Sequence, residues 1–369
     1  GFQDSNDIGD FFFEPPSGYL ALCTKNLPEP AVIPSEHFNT VLYTGNGSQR
    51  NITGVGFQPD WVFLKARNAV GSPVVFDSVR GATKRLRTNN DSQETTASAG
   101  LNAFISDGFS IGNDYGNNNN ETYVAWNWKA GGSTSSDTNG SITSTVSVNT
   151  DAKFSIGTYT GNGTNPATIG HGLGVVPDFI VVKKRDTSDD NWTVYHTGLH
   201  SSEPEDYFIK LNETAAASDN HTTWNDTAPT ATLFTTQNDS RNNANGAKYV
   251  FYAFKSVDGY SKVGAYSGNG NDDGAFIYTG FKPAWVMTRE IGGSNHWHIM
   301  DNKRSPLNPV NDHLKANDTA VEDTDNAGFV LDFLSNGFKW KDADHDNQAT
   351  PYLFLAFAET PLKYANADN

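Results

Sequence analysis

Three short segments recur at intervals of roughly 110 residues: YTGNG at 43–47, YTGNG at 159–163 and YSGNG at 266–270. An internal repeat constrains a fold more than any isolated motif, because every copy must bury the same faces and end on the same turns. The interval is too long for a solenoid unit of about 20 to 50 residues and close to a small β-sandwich of about 100. The repeat therefore predicts whole domains copied in tandem.

Further text aligns once the three glycine segments are superposed. FQPDWVFLKAR at 57–67 falls beside VVPDFIVVKKR at 175–185 and FKPAWVMTRE at 281–290. Each places a proline two residues before an aromatic and an apolar run. Proline is tolerated at the first position of a strand, and the aromatic and β-branched run that follows reads as a buried strand. YVAWNWK at 123–129, YVFYAFK at 249–255 and YLFLAFA at 352–358 close the three copies. Both alternating faces of these strands are apolar, which places them in the middle of a sandwich. Between these markers SPVVFDS, NWTVYHT and HWHIMDN align on Val75, Val194 and Ile299, and DGFSIG pairs with NGFKWK as a turn feeding a strand.

The expected architecture is all-β: three tandem antiparallel β-sandwich domains of about 100 residues each, at 38–130, 154–257 and 258–360. Residues 131–153 are rich in Gly, Ser and Thr and read as a linker, although SITSTVSV alternates enough to pair as an edge strand. Residues 1–37 lie outside the repeat. Their prolines favour an extended, capping course, as the remnant of an upstream domain. Residues 361–369 form a C-terminal tail.

The glycine segments do not have the setting of a phosphate loop. Such a loop delivers its glycines to a helix N-terminus, and turn and strand chemistry follows each copy here. Asn-Gly supplies a positive φ at little cost, so the segments read as strand-to-loop corners.

Composition narrows the function. Aromatics are 12% of the chain, with 8 Trp, 14 Tyr and 23 Phe against 2 Met, which suits many short strands over thin aromatic cores. A formal net charge of −16 opposes nucleic-acid binding, which draws its affinity from cations neutralising phosphates. One cysteine, Cys23, forms no intramolecular disulfide framework. No apolar run reaches the roughly 18 to 20 residues of a membrane-spanning helix, and the N-terminus lacks the pattern of a signal peptide.

No catalytic, cofactor or metal constellation stands out. DADHDNQ at 342–348 resembles the start of a calcium loop, but Asn347 and Leu353 stand where glycine and glutamate are needed, so it reads as a solvated acidic hairpin. His171, His196, His200 and His221 cluster in the second repeat without the HExxH or HxxxH spacing of a helical zinc site. Paired carboxylates for glycoside hydrolysis are not resolvable among 42 acidic residues. The Asn-rich tracts at 113–122 and 237–246 read as exposed tips. Tyr115, Trp224, Asn118 and Asn243 are the candidate receptor contacts, through ring stacking and amide hydrogen bonds to sugars, against the competing reading that each asparagine simply satisfies a tight turn.

At the level of YTGNG, HGLGVVPDFIVVKKR, NWTVYH, FSIGTYTGNG and YVAWNWKAGGSTSSDTNGSITSTVSVN, the chain resembles a repeated domain of unknown function in tail-fibre-like virion proteins of marine bacteriophages. PPSGYLALCTKNLPEP resembles the segment that follows a concanavalin-like or SPRY-like sandwich in such proteins. The second repeat alone carries HGLG and the YH pair, which marks it as the copy where a ligand site could be special. The resemblance implies a structural and adhesive virion component at the particle surface, a tail fibre or other appendage. Its implied partners are other virion proteins, further copies in a homotrimer and a host surface glycan. The rival expectations are a polysaccharide depolymerase or glycosidase, and a non-viral extracellular filament or adhesin.

Overall fold

A computed structural model describes residues 1–23, 26, 32–324 and 328–358; the expected tail at 361–369 lies outside them. Among these residues nearly all regular structure is antiparallel β, and the two α-helices, His221–Trp224 and Ser240–Asn243, are single turns. Each repeat builds a large sheet in one order: opening strand, closing strand, proline-led strand, middle strand. In the first repeat these are Phe38–Thr44, Thr122–Trp128, Trp61–Ala66 and Val74–Asp77. In the second they are Phe154–Thr160, Lys248–Phe254, Phe179–Lys184 and Thr193–His196. The third uses Ser261–Ser267, Pro351–Ala358, Pro283–Glu290 and His298–Asp301. A small sheet of two or three strands packs on one face of each large sheet and completes a sandwich.

The closing strands show why both of their faces are apolar. Tyr249, Phe251 and Ala253 enter the core of their own sandwich, while Val250, Tyr252 and Phe254 point the other way into a core shared by all three repeats. Val124, Trp126 and Trp128 from the first repeat, and Leu353, Leu355 and Phe357 from the third, meet them there. Each closing strand is central in its sheet, as its sequence implies, but its second face is covered by the neighbouring repeats. Trp61 stacks on Tyr252 with ring centroids 4.7 Å apart, Phe38 stacks on Phe357 at 5.0 Å, and Trp128 meets Trp285 edge-on at 5.7 Å. The three sandwiches are thus arranged cyclically around one aromatic centre.

Polar contacts repeat the same cycle. The backbone N–H of Glu94 donates to Arg185 O at 2.7 Å, that of Ala217 to Ile291 O at 2.8 Å, and that of Glu322 to Arg67 O at 2.7 Å. The three acceptors occupy one aligned position, and each donor comes from another repeat. Lys65, Lys183 and Arg289 share a second aligned position, two residues earlier, and all three are 0% exposed. Lys65 donates to Ala320 O of the third repeat at 2.8 Å, Lys183 to Asp91 O of the first at 3.0 Å, and Arg289 to Thr214 O and Ala215 O of the second at 2.6 and 2.7 Å. Burial pushes both lysines down to about 8 and Arg289 down to about 10, since carbonyl dipoles replace only part of the lost hydration.

The Gly/Ser/Thr-rich segment expected as a linker carries two strands. Ser135–Asp137 and Ser144–Asn149 form an antiparallel pair, and the second also pairs along the opening strand Phe154–Thr160, so the sheet of the second repeat is widened. Alternation won over composition: Val146 turns into the sandwich core and Thr145 away from it. The N-terminal segment, expected to cap a neighbouring surface, instead turns back on itself. Asp4 accepts the backbone N–H groups of Asn6, Ile8 and Ala21, and Phe12, Phe13 and Leu22 stay exposed.

Candidate functional site

The three glycine segments are strand-to-loop corners. Gly47, Gly163 and Gly270 sit at φ of 66°, 66° and 62°, which glycine adopts without strain. The preceding glycine of each copy has a different reason. A Cβ on Gly45, Gly161 or Gly268 would lie 2.1, 2.4 or 2.1 Å from the carbonyl oxygen of Asn118, Ala244 or Gln348. A buried asparagine locks each corner. Asn117 donates through Nδ2 to Ser48 O and Gly112 O at 2.6 and 2.7 Å, Asn243 to Thr164 O at 2.9 Å, and Asn347 to Asn271 O and Asp342 O at 2.9 and 2.6 Å. In return their Oδ1 atoms accept the backbone N–H of Asn46, Asn162 and Asn269.

This geometry corrects two of the expected receptor contacts. Asn243 is 0% exposed and is spent on its corner, and Trp224 is 1% exposed, packed edge-on against Tyr195 and Phe234. An Asn-rich tract supplies buried locks as readily as exposed tips, because the planar amide satisfies several backbone groups at once. Tyr115 is half-buried against Tyr123, and its hydroxyl accepts the Ala66 N–H at 3.4 Å. Asn118 is exposed and donates to Glu121 at 3.1 Å. The four residues do not form one surface.

The histidines and the acidic hairpin also resolve into packing roles. His196 Nδ1 accepts the Gly198 N–H at 2.9 Å, so its Nε2 carries the proton donated to Phe354 O at 3.2 Å, a contact between the second and third repeats. Complete burial holds its pKa down to about 4. His171 bridges the Leu173 N–H and Thr230 O in the same manner. His200 stacks on Tyr207, and His221 is the exposed first residue of the single-turn helix that ends at the buried Trp224. Among the described residues, no group of three His, Cys, Asp or Glu is placed to hold a metal ion. The stretch read as a solvated hairpin buries Asp342, Asp346 and Asn347. Asp342 accepts the Val330 and Asp344 N–H groups at 2.7 and 3.0 Å, and burial pushes its carboxyl up to about 6. Asp346 is taken by Thr288, Asn295 and His298.

A groove in the second repeat has a volume of about 370 Å³, within the usual range for small-molecule sites of about 300 to 1,000 Å³. The added strand Ser144–Asn149 creates it. Thr145 pairs with Thr158 on the sheet, but the chain before Ser144 leaves the sheet for the small one. There Ile142 N–H donates to Thr168 O at 3.0 Å, and Ser141 exchanges three further hydrogen bonds with Thr168. Thr143 stands beyond the last paired residue of its strand, and with Thr145, Thr158, Thr160 and Asn162 it lines the groove that this departure leaves. The face of the opening strand that carries Phe154 and Ile156 into the shared core continues here as Thr158 and Thr160, beyond the rim of that core. Arg185 and Lys248 complete the lining, tied side by side by the Arg185 N–H donating to Lys248 O at 2.7 Å. Sequence reasoning missed this site because its walls come from separated segments and none of its residues is unusual alone. The alternation in SITSTVSV is the one signal that pointed there.

Chemically the groove offers hydroxyls and two cations. Its lining includes no carboxylate, so the paired acids of a glycosidase are not assembled there. The rings of Tyr159 and Tyr249 stack on each other at 5.0 Å, and their hydroxyls donate to Asn242 O and Ser240 O, so neither presents a free face.

No curated protein and no solved structure matches the chain. The family model for a domain of unknown function, DUF7483, matches residues 33–361, a span that takes in all three repeats and the strands between them, and the chain belongs to that family.

Proposed function

We propose that the chain is a structural and attachment component of a bacteriophage particle, part of a tail fibre or similar surface appendage, that assembles with other virion proteins and contacts a host surface glycan. The observation that carries this reading is the cyclic interlock. The side chains that recur at aligned positions, namely the three inward cations and the three locking asparagines, are consumed in holding the repeats to one another and in fixing corners. Repeated chemistry spent on rigidity suits a load-bearing block. The groove of the second repeat adds a recess on that block in which polar contacts to a sugar can form.

The test has two arms. Antibody labelling of intact particles under the electron microscope is expected to mark an external appendage, and the purified chain is expected to bind host cells and to block their infection. Label confined to the particle interior, or no effect on attachment, would overturn the reading. Release of new reducing ends from host capsule or lipopolysaccharide would assign the chain to a depolymerase instead.

A further inference from the structure

We propose that the groove between Thr145 and Lys248 binds an acidic saccharide, a sugar bearing a carboxylate or a phosphate. The proposal rests on the attachment reading above and names its ligand. The chain carries a formal net charge of −16, yet this groove contributes Arg185 and Lys248 and no acidic side chain. An acidic surface that keeps a local pair of cations directs an anion to that place.

Neither cation is fully used by the protein. Lys248 is exposed and, among the described residues, makes no ion pair; Asp186 engages only its backbone N–H, at 2.9 Å. Arg185 Nε lies 3.4 Å from Glu94 Oε2 but makes no hydrogen bond, and the same oxygen already accepts from Arg80 at 3.0 Å. The first repeat shows the contrast. Its aligned arginine, Arg67, holds Glu322 through Nε at 2.8 Å and through a second nitrogen at 2.7 Å, a geometry that leaves little for a ligand. The third repeat has Ile291 there, and Lys248 aligns with Thr122 and Pro351. Among the described residues, the opening strands of these two repeats are sheet edges with no added strand beside them, so the wall that Ser144–Asn149 supplies has no counterpart there.

The hydroxyls favour a sugar over a bare anion. Thr143, Thr145, Thr158 and Thr160 make no side-chain hydrogen bond among the described residues, and all four line the groove. Hydroxyls that donate and accept match the hydroxyls of a saccharide. The rings that line the groove, Tyr159 and Tyr249, are buried and offer no face to a neutral sugar, so charge must supply the affinity. A nucleic acid fits poorly, since two cations against the field of the whole chain neutralise too few phosphates.

Methyl glucuronide, glucose 6-phosphate, methyl glucoside and inorganic phosphate are to be titrated into the full chain by calorimetry and saturation-transfer NMR. One or both acidic sugars are expected to bind at least about tenfold more tightly than methyl glucoside and than inorganic phosphate. Which acidic sugar wins tells a carboxylate ligand from a phosphate one. Lys248→Gln, at an exposed position, is expected to weaken that binding at least about tenfold, and added salt to weaken it in the parent chain. Thr158→Val is expected to weaken the sugars and leave inorganic phosphate unaffected. Equal binding of methyl glucoside, equal binding of phosphate alone, tighter binding of a single-stranded oligonucleotide, or indifference to Lys248→Gln would each overturn the assignment. Cell attachment without acidic-sugar binding would remove this ligand and leave the attachment reading standing.

Discussion

Replacing Trp285 by alanine tests whether the three repeats form one cooperative unit. Trp285 is 1% exposed and touches Trp128 and Phe357 with ring centroids 5.7 Å away, and Phe38 and Trp126 at 6.3 and 6.4 Å. It thus joins the third repeat to the first inside the shared core. Truncating a buried tryptophan to alanine costs about 3 to 5 kcal/mol in lost transfer energy and residual cavity. If the repeats were independent sandwiches, that loss would appear only in the third. With a shared core, the second repeat loses the same stability although none of its rings meets Trp285, because Tyr252 and Phe254 cannot stay buried once the centre opens. Hydrogen exchange followed by mass spectrometry reads this directly. Amides of the closing strands Thr122–Trp128, Lys248–Phe254 and Pro351–Ala358 should all exchange about two to four orders of magnitude faster. Trp285→Phe should show the same pattern with a smaller effect. Faster exchange confined to the third repeat, with Lys248–Phe254 unchanged, would refute the shared-core argument.

Three further expectations test the interlocks. Asn117→Ala removes the amide bonds to Ser48 O and Gly112 O and the acceptor of the Asn46 N–H, and leaves the buried Gly112 carbonyl without that partner, so chemical denaturation should report a loss of about 2 to 4 kcal/mol, against near neutrality for the exposed Asn118→Ala. Gly47→Ala should cost about 1 to 2 kcal/mol through its positive φ, and Gly45→Ala distinctly more, since its Cβ meets a backbone oxygen that cannot rotate away; thermal melts of the pair rank the two causes. His196 stays neutral in the folded chain down to about pH 4, whereas the unfolded chain takes up a proton near pH 6.5. Between those values the unfolded state binds more protons, so stability falls as pH falls, by about 3 kcal/mol from this residue on an order-of-magnitude basis. Stability curves from pH 7 to 4 should be flatter for His196→Gln than for the parent chain.

The strands and corners were legible because their chemistry is local. A proline ahead of an aromatic run, period-two alternation and Asn-Gly turns act over a few residues, and the aligned copies confirmed one another. The turn chemistry of asparagine was legible but its burial was not: Asn117 and Asn243 sit in tracts that read as exposed tips and Asn347 in one that reads as a solvated hairpin, and only packing shows which amide turns inward. The same holds for Lys65 and Lys183, whose charge suggests a surface until carbonyls from another repeat are brought within 3.0 Å.

The amino-acid sequence by itself determined that this is an all-β chain of three related units with glycine corners and closing strands apolar on both faces. Tertiary structure alone decided what covers the second face: the other two repeats, closed in a ring around one aromatic centre. It likewise turned the Ser/Thr-rich stretch at 131–149 from a linker into the wall of a groove. The reason is physical. Hydrophobic burial specifies that a face must be covered but carries no direction toward a particular partner, so the choice among partners belongs to shape and to hydrogen bonds formed across distant parts of the chain.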